Sequence, residues 1–264
     1  MHPDLINIGP LTIHTYGFFV ALGFITALLV TIRLGKAEGF DAQKILDMAF
    51  IMILGGIIGS RITYALMNFS YYVQYPLHFF KIWEGGLVFS GGLIFVALIM
   101  IWYSRKNKWS YWQIGDLWAP AIAIGQGIGR IGCFMAGCCY GKPTDLFCAV
   151  VFSNPKSLAP LNIPLHPTQL YLALSGFIIF IVLLLIRKRK SFIGQVFLWF
   201  LILHSLARIF IERFRGDLTP VFPGSEMSLT QLFSLCLLIL AVIFLFILKT
   251  RNTVKNNPKK ANAS

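Results

Sequence analysis

Long apolar runs separated by short polar and basic loops organise the chain. Seven runs fall near residues 14–33, 47–67, 86–103, 114–135, 168–186, 192–211 and 229–248. Each approaches the ~20 residues a helix needs to cross a bilayer. The fourth is the least apolar, with Asp116, Pro120, Gln126 and four glycines between Gly125 and Gly132. Small residues let membrane helices approach closely, so Gly125, Gly127 and Gly129 predict tight packing. The pattern predicts an all-α polytopic membrane protein with seven transmembrane helices, forming a single transmembrane domain over 1–250. Residues 251–264 are polar and lysine-rich and predict a disordered basic tail.

Composition narrows the class. The chain of 264 residues is 57% hydrophobic and 12% charged, with mean hydropathy +0.73. Soluble domains carry about 25% charged residues. No polar stretch is long enough for a large soluble domain. The net charge of +13 would suit nucleic acid, but the basic residues sit in short loops beside apolar runs. That placement marks membrane topology and contact with anionic lipid, and argues against nucleic acid. The start, Met1-His2-Pro3-Asp4, lacks a basic n-region and a cleavage site, so the first run is expected to stay as an anchor.

The same residues predict orientation. Arg33, Lys36 and Lys44, then Arg105, Lys106 and Lys108, then Arg187 to Lys190, then Lys249, Arg251, Lys255, Lys259 and Lys260 fall on one side. They are fifteen of the 23 basic residues. The other side holds Lys81, Lys142, Lys156, Arg213 and Arg215. The positive-inside rule then puts the C-terminus in the cytoplasm and the N-terminus outside, as seven spans require.

The remaining arginines, Arg61, Arg130 and Arg208, lie in or at the edge of apolar runs. A charge at the bilayer centre costs about 2.5–3.5 kcal/mol on insertion scales, so such residues face a cavity or a partner. Arg61 is expected to snorkel to the interface and has no assigned role. Arg130 lies in Gly129-Arg130-Ile131-Gly132-Cys133-Phe134, with Glu84, Asp145 and Glu212 as possible partners. Arg208 and Glu212 share a helix face, four residues apart. An arginine fork suits a phosphate, and the nearest abundant phosphate is a lipid headgroup. The entry to the fifth run reads His166-Pro167-Thr168-Gln169, where Thr168 can cap a helix. Cys133, Cys138, Cys139 and Cys148 have the spacing C-x4-C-C-x8-C, without the paired CxxC of metal sites. They read as small packing residues, with a disulfide as the alternative, and Cys236 as a packing residue.

In order, the motifs resemble the signature of the prolipoprotein diacylglyceryl transferases in a cysteine-rich version. They are Tyr16-Gly17, Trp83-Glu84-Gly85-Gly86-Leu87 with Gly91-Gly92, the Arg130 motif closing at Gly141, His166-Pro167-x-Gln169-Leu170-Tyr171, and Arg208-x-x-x-Glu212. The resemblance implies a bacterial inner-membrane enzyme of lipoprotein biosynthesis, multi-pass, with its site toward the periplasm. It implies transfer of the diacylglyceryl group of phosphatidylglycerol to the lipobox cysteine of a preprolipoprotein, releasing glycerol phosphate. Arg130 and Arg208 would be catalytic, with Arg130 on the headgroup. Tyr16, Ser90, Glu212, His166, Gln169 and Gly141 would bind substrate. No cofactor, metal or nucleotide is expected. The family often has histidine where Ser90 stands, asparagine at Cys133 and Ala136, glutamate at Cys138 and again at Leu172. Two other classes stay open at this point: a paralogue on the same scaffold handling another lipid or acceptor, and a membrane thiol-redox protein using these cysteines.

Overall fold

The computed structural model describes residues 2–8, 11–81, 85–217 and 227–256. Ile82, Trp83, Glu84 and the tail from 257 onward lie outside them. The long helices are α1 (Thr15–Ala37), α2 (Ala42–Met67), α4 (Phe89–Lys106), α5 (Tyr111–Ala136), α6 (Thr168–Lys188), α7 (Gln195–Glu212) and α8 (Leu229–Asn256). A short α3 (Phe69–Gln74) and a 3-10 turn (Pro76–Phe80) follow α2. Each of the seven expected runs corresponds to one long helix. Five are long and apolar enough to cross a membrane: α1, α2, α6, α7 and α8. The chain is a helical, polytopic membrane protein.

Several details depart from the sequence expectations. The chain is not purely α. An antiparallel hairpin, β1 (Asp4–Ile8) with β2 (Leu11–His14), precedes α1, and β3 (Val150–Val151) pairs with β4 (Pro164–Leu165). The alternation Ile6-Asn7-Ile8 and Leu11-Thr12-Ile13 has the two-residue period of strands, which a search for 20-residue apolar runs passes over. The tail continues α8 as far as Asn256.

The chain divides into two compact units, one of residues 1–31 with 115–264 and one of residues 32–114. In the second, α2 packs on α4 through small residues. A Cβ on Gly91 would lie 2.9 Å from the Gly59 carbonyl, and one on Gly92 2.9 Å from that of Gly56. Only glycine permits this approach. Arg61 is 4% exposed and does not snorkel. Its Nε donates to Phe79 O, Nη1 to Gly85 O and Gly86 O, and Nη2 to His78 O and Lys81 O. The guanidinium also stacks near Tyr64 and Tyr72. It gathers the chain after α3 onto α2, because carbonyl groups that leave the helical ladder need donors in an apolar setting.

The first unit is built on α5, α6 and α7. Ala119, Ala123, Ile179, Leu183, Val196 and Phe200 form its core cluster. The polar Asp116, which weakens the apolar run of α5, is fully buried and caps α7 from outside. Its carboxylate accepts from Gly194 N at 2.8 Å and Phe197 N at 2.9 Å, satisfying first-turn donors that would otherwise be orphaned. Gly125 meets the Gly23 carbonyl of α1, and Gly127 and Gly176 bring α5 against α6. Gly129, expected to share this packing, has nothing within 4 Å of its Cβ position.

Replacing Arg61 by Ala strands its carbonyl partners. Hydrogen bonds to charged groups contribute about 1.5–3 kcal/mol each, so Arg61→Ala is expected to lower the thermal midpoint of the detergent-solubilised protein by far more than Arg33→Ala, whose side chain is exposed. Equal shifts for the two would show that the carbonyl cage is not structural.

Candidate functional site

The C-terminal end of α5 lies against the start of α1. A Cβ at Gly132 would be 3.2 Å from Tyr16 O and 2.9 Å from Phe19 Cβ. The Tyr16 hydroxyl is therefore within electrostatic range of Arg130, Cys133, Cys138 and Cys139. Beyond α5 the chain turns through left-handed backbone at Gly137 (φ 78°) and Cys139 (φ 57°). The turn is held by α6: Thr168 Oγ1 donates to Cys139 O at 2.7 Å and Gln169 Nε2 to Cys138 O at 2.9 Å. Thr168 therefore serves the loop rather than capping its own helix, since α6 has no side-chain cap.

This turn collects sulfur. The Sγ atoms of Cys133, Cys138 and Cys139 lie within 4.8 Å of one another, although their spacing carries no metal signature. The thiols are free rather than disulfide-bonded, and Cys133 is buried in the core as a packing residue is. Arg130 makes no ion pair among the described residues; its Nη1 donates to Cys139 Sγ at 3.5 Å. Hydrogen bonding from Cys133 and Cys138, with Arg130 and Arg215 facing it, holds the Cys139 thiol well below its ordinary range. Cys148 instead contacts the Tyr171 hydroxyl at 3.2 Å, and Cys236, expected to be packed, is exposed on α8.

Residues 140–142 run between two other segments. Gly141 N donates to His166 O at 3.1 Å and His166 N returns to Lys142 O at 3.0 Å. On the other side Lys142 N donates to Phe214 O at 2.7 Å and Gly216 N to Tyr140 O at 3.0 Å. A Cβ on Gly141 would collide with His166 O and lie 2.9 Å from Phe214 O. Gly141 is thus required by backbone approach, and it ties the α5 turn to the segment after α7. The His166 ring packs on Phe214 at 5.1 Å and its Nδ1 lies 3.3 Å from the Tyr171 hydroxyl.

Glu212, 0% exposed, ends α7. It pairs with Arg208 at 3.2 Å and Arg215 at 3.3 Å. The Arg208 pair follows the spacing read from the sequence. Arg215, read there only as a loop charge, is its second partner, and the signal was present in its position three residues after Glu212. Arg215 also holds Asp217 at 2.9 Å. Arg208 is within electrostatic range of Arg130 and Arg215, and His204 of both Arg208 and Arg130. Among the described residues three atoms are buried without a hydrogen-bond partner here: Arg208 Nη1, a donor, and the acceptors Gln169 Oε1 and Glu212 Oε2, the last ion-paired with Arg208 at 3.2 Å. Buried polar groups of this kind are usually met by water, an ion or a ligand. The arrangement suits an anion that also carries a hydroxyl.

The structure therefore gathers Tyr16, Arg130, Gly141, His166, Gln169, Arg208 and Glu212 in the first unit. Ser90 lies in the second, exposed in the first turn of α4. The candidate partner Glu84 falls outside the described residues.

Comparison with known proteins finds one family over nearly the whole chain. Residues 3–247 match the family profile described as prolipoprotein diacylglyceryl transferase. A phosphatidylglycerol–prolipoprotein diacylglyceryl transferase of Clostridium tetani is 36% identical over 93% of this chain and 97% of its own. That of Pseudoalteromonas atlantica is 38% identical over 81% of this chain and 75% of its own. One numbered 2 in Clostridium perfringens is 32% identical over 94% and 96%.

Removing one partner of a buried ion pair costs about 3–5 kcal/mol. Glu212→Ala, which strips Arg208 and Arg215 of their shared carboxylate, is expected to unfold at a markedly lower temperature in detergent than Asp145→Ala at an exposed position. A midpoint matching that of Asp145→Ala would mean that the Glu212 cluster does not hold this region together.

Proposed function

The chain belongs to the prolipoprotein diacylglyceryl transferase family, and from that premise we propose that it transfers the diacylglyceryl group of phosphatidylglycerol to the lipobox cysteine thiol of preprolipoproteins. The observation that carries the reading is the buried, unpartnered Nη1 of Arg208 in electrostatic range of Arg130. Two guanidinium groups with one free donor position fit a phosphodiester. The unpartnered Gln169 Oε1 suits a hydroxyl of the headgroup glycerol.

The reaction is a displacement at an sp3 carbon. The acceptor sulfur forms a C–S bond to the diacylglyceryl carbon while the C–O bond to phosphate breaks. Glycerol phosphate leaves with the bonding electron pair, and the thiol proton passes to solvent or to the departing phosphate. Arg130 holds the headgroup phosphate, and Arg208 faces the same group and stabilises its charge as it leaves. Donors aimed at developing charge supply a large share of catalysis. A free thiol has a pKa of about 8.5, and neighbouring guanidinium groups raise its thiolate fraction. Glu212 orients Arg208 and Arg215. Tyr16, His166, Gln169 and Gly141 shape the substrate site.

The enzyme is read as one transmembrane domain in the bacterial inner membrane, crossing it seven times. The N-terminus is outside, the C-terminus cytoplasmic and the site periplasmic. The distribution of lysine and arginine supports this orientation. The paralogue and thiol-redox alternatives have no observation in their favour.

Losing one preorganised donor typically costs about 10²–10³ in turnover. Arg130→Ala and Arg208→Ala are each expected to lose at least that much phosphatidylglycerol-dependent lipidation of a lipobox peptide, and neither should rescue a strain depleted of this activity. Turnover near wild type in both would overturn the assignment. A reporter fused after Asn256 should be active only if it folds in the cytoplasm; periplasmic activity would reverse the topology.

A further inference from the structure

The convergence of Cys133, Cys138 and Cys139 is not used by the reaction just described. From it we infer a binding site for a soft divalent metal ion of the zinc type, with these three thiolates as ligands. Distance is the first argument. Three sulfurs at about 2.3 Å from a tetrahedral zinc stand about 3.8 Å from one another. The thiols already lie within 4.8 Å of one another, so closure asks for shifts of about 1 Å or less, within the reach of side-chain rotation.

Preorganisation is the second. Adjacent cysteines on extended backbone point to opposite sides. Here the left-handed Cys139 turns the chain so that both thiols meet Cys133. Thr168 and Gln169 fix the carbonyls of the two loop cysteines. These contacts act as the outer shell of a metal centre, which usually orients the ligands. Arg130 supplies a further such contact, its Nη1 donating to Cys139 Sγ at 3.5 Å.

Charge is the third. The thiols bind as thiolates, any protons passing to solvent, so a divalent ion with three thiolates carries one net negative charge. That charge falls among guanidinium groups, with Arg130, Arg208 and Arg215 outnumbering Glu212 and Asp217 nearby. The bound ion would thus offset a local excess of positive charge. Three protein ligands leave the fourth position open to an external ligand. Resting on the transferase reading above, that position takes the acceptor thiol and holds it as thiolate, since metal coordination deprotonates a thiol.

The full chain, purified in detergent with a phosphine reductant and stripped by chelator, is titrated with Co²⁺ and then with Zn²⁺. One equivalent should bind, giving a thiolate-to-cobalt charge-transfer band that zinc abolishes. Zinc should slow alkylation of Cys133, Cys138 and Cys139 at least tenfold and leave Cys148 and Cys236 unchanged, as read by peptide mass spectrometry on the wild-type protein. Cys133→Ser, Cys138→Ser and Cys139→Ser should each weaken binding at least tenfold, and Cys236→Ser should not. No retained metal, or zinc protection of other cysteines instead, overturns the site. A lipobox peptide should shift the cobalt spectrum, whereas its Cys→Ser counterpart should not; identical responses would remove the acceptor-thiol role. Lipidation is measured on the same samples. Metal binding without lipidation would sink the transferase reading and leave the site standing, and full lipidation without metal binding would do the reverse.

Discussion

A guanidinium group taken out of water must find acceptors, and this protein meets that constraint in two ways. Arg61 closes its donors on five backbone carbonyl contacts from the segment after α2. The result is an internally complete staple with no donor to offer. Arg208 is only partly met. Glu212 takes Nη2, while Nη1 stays buried and unbonded. A donor left in that state costs about 1–3 kcal/mol or more. The two arginines look alike as charges inside apolar runs, and hydrogen-bond completeness separates the self-contained one from the one proposed to meet a phosphate.

Backbone approach is the second constraint, and it ties the arginines together. Gly132 lets the start of α1 reach the end of α5, and Gly141 lets residues 140–142 lie between His166 and Phe214. Arg130 on α5 and the Arg208–Glu212–Arg215 cluster at the end of α7 are thereby held by one run of backbone hydrogen bonds from α5 through Gly141 to Gly216. A side chain at Gly141 would separate them without touching any charged group.

Local signals were legible in the sequence and distant ones were not. The seven helices follow from apolar length, and the Arg208–Glu212 pair from four-residue spacing. The role of Asp116 was hidden, because its partner Gly194 is 78 residues away; in sequence it reads only as a weakness of α5. The Arg61 staple was hidden because carbonyl acceptors belong to every residue and leave no sequence signature. The thiol cluster was hidden for a third reason. Spacing rules assume ligands from regular turns, whereas here a non-glycine residue at positive φ brings vicinal cysteines to one point. Searches by motif detect the commonest backbone that presents a set of ligands, and they miss the same set presented by a rarer one.

That left-handed turn carries a consequence for the chemistry. A non-glycine residue in this conformation costs of order 1 kcal/mol, and such strain persists only where surrounding contacts over-determine it. Thr168 and Gln169 supply those contacts from the first turn of α6. The same side chains therefore fix where the thiols sit relative to Arg130, and the Gln169 Oε1 stays buried without a hydrogen-bond partner. One short stretch, Thr168-Gln169, thus couples the geometry of the sulfur cluster to that of the proposed anion site. A change there would disturb both at once, whereas a change at Cys133 would reach the thiols and leave the Glu212 pairs to Arg208 and Arg215 in place.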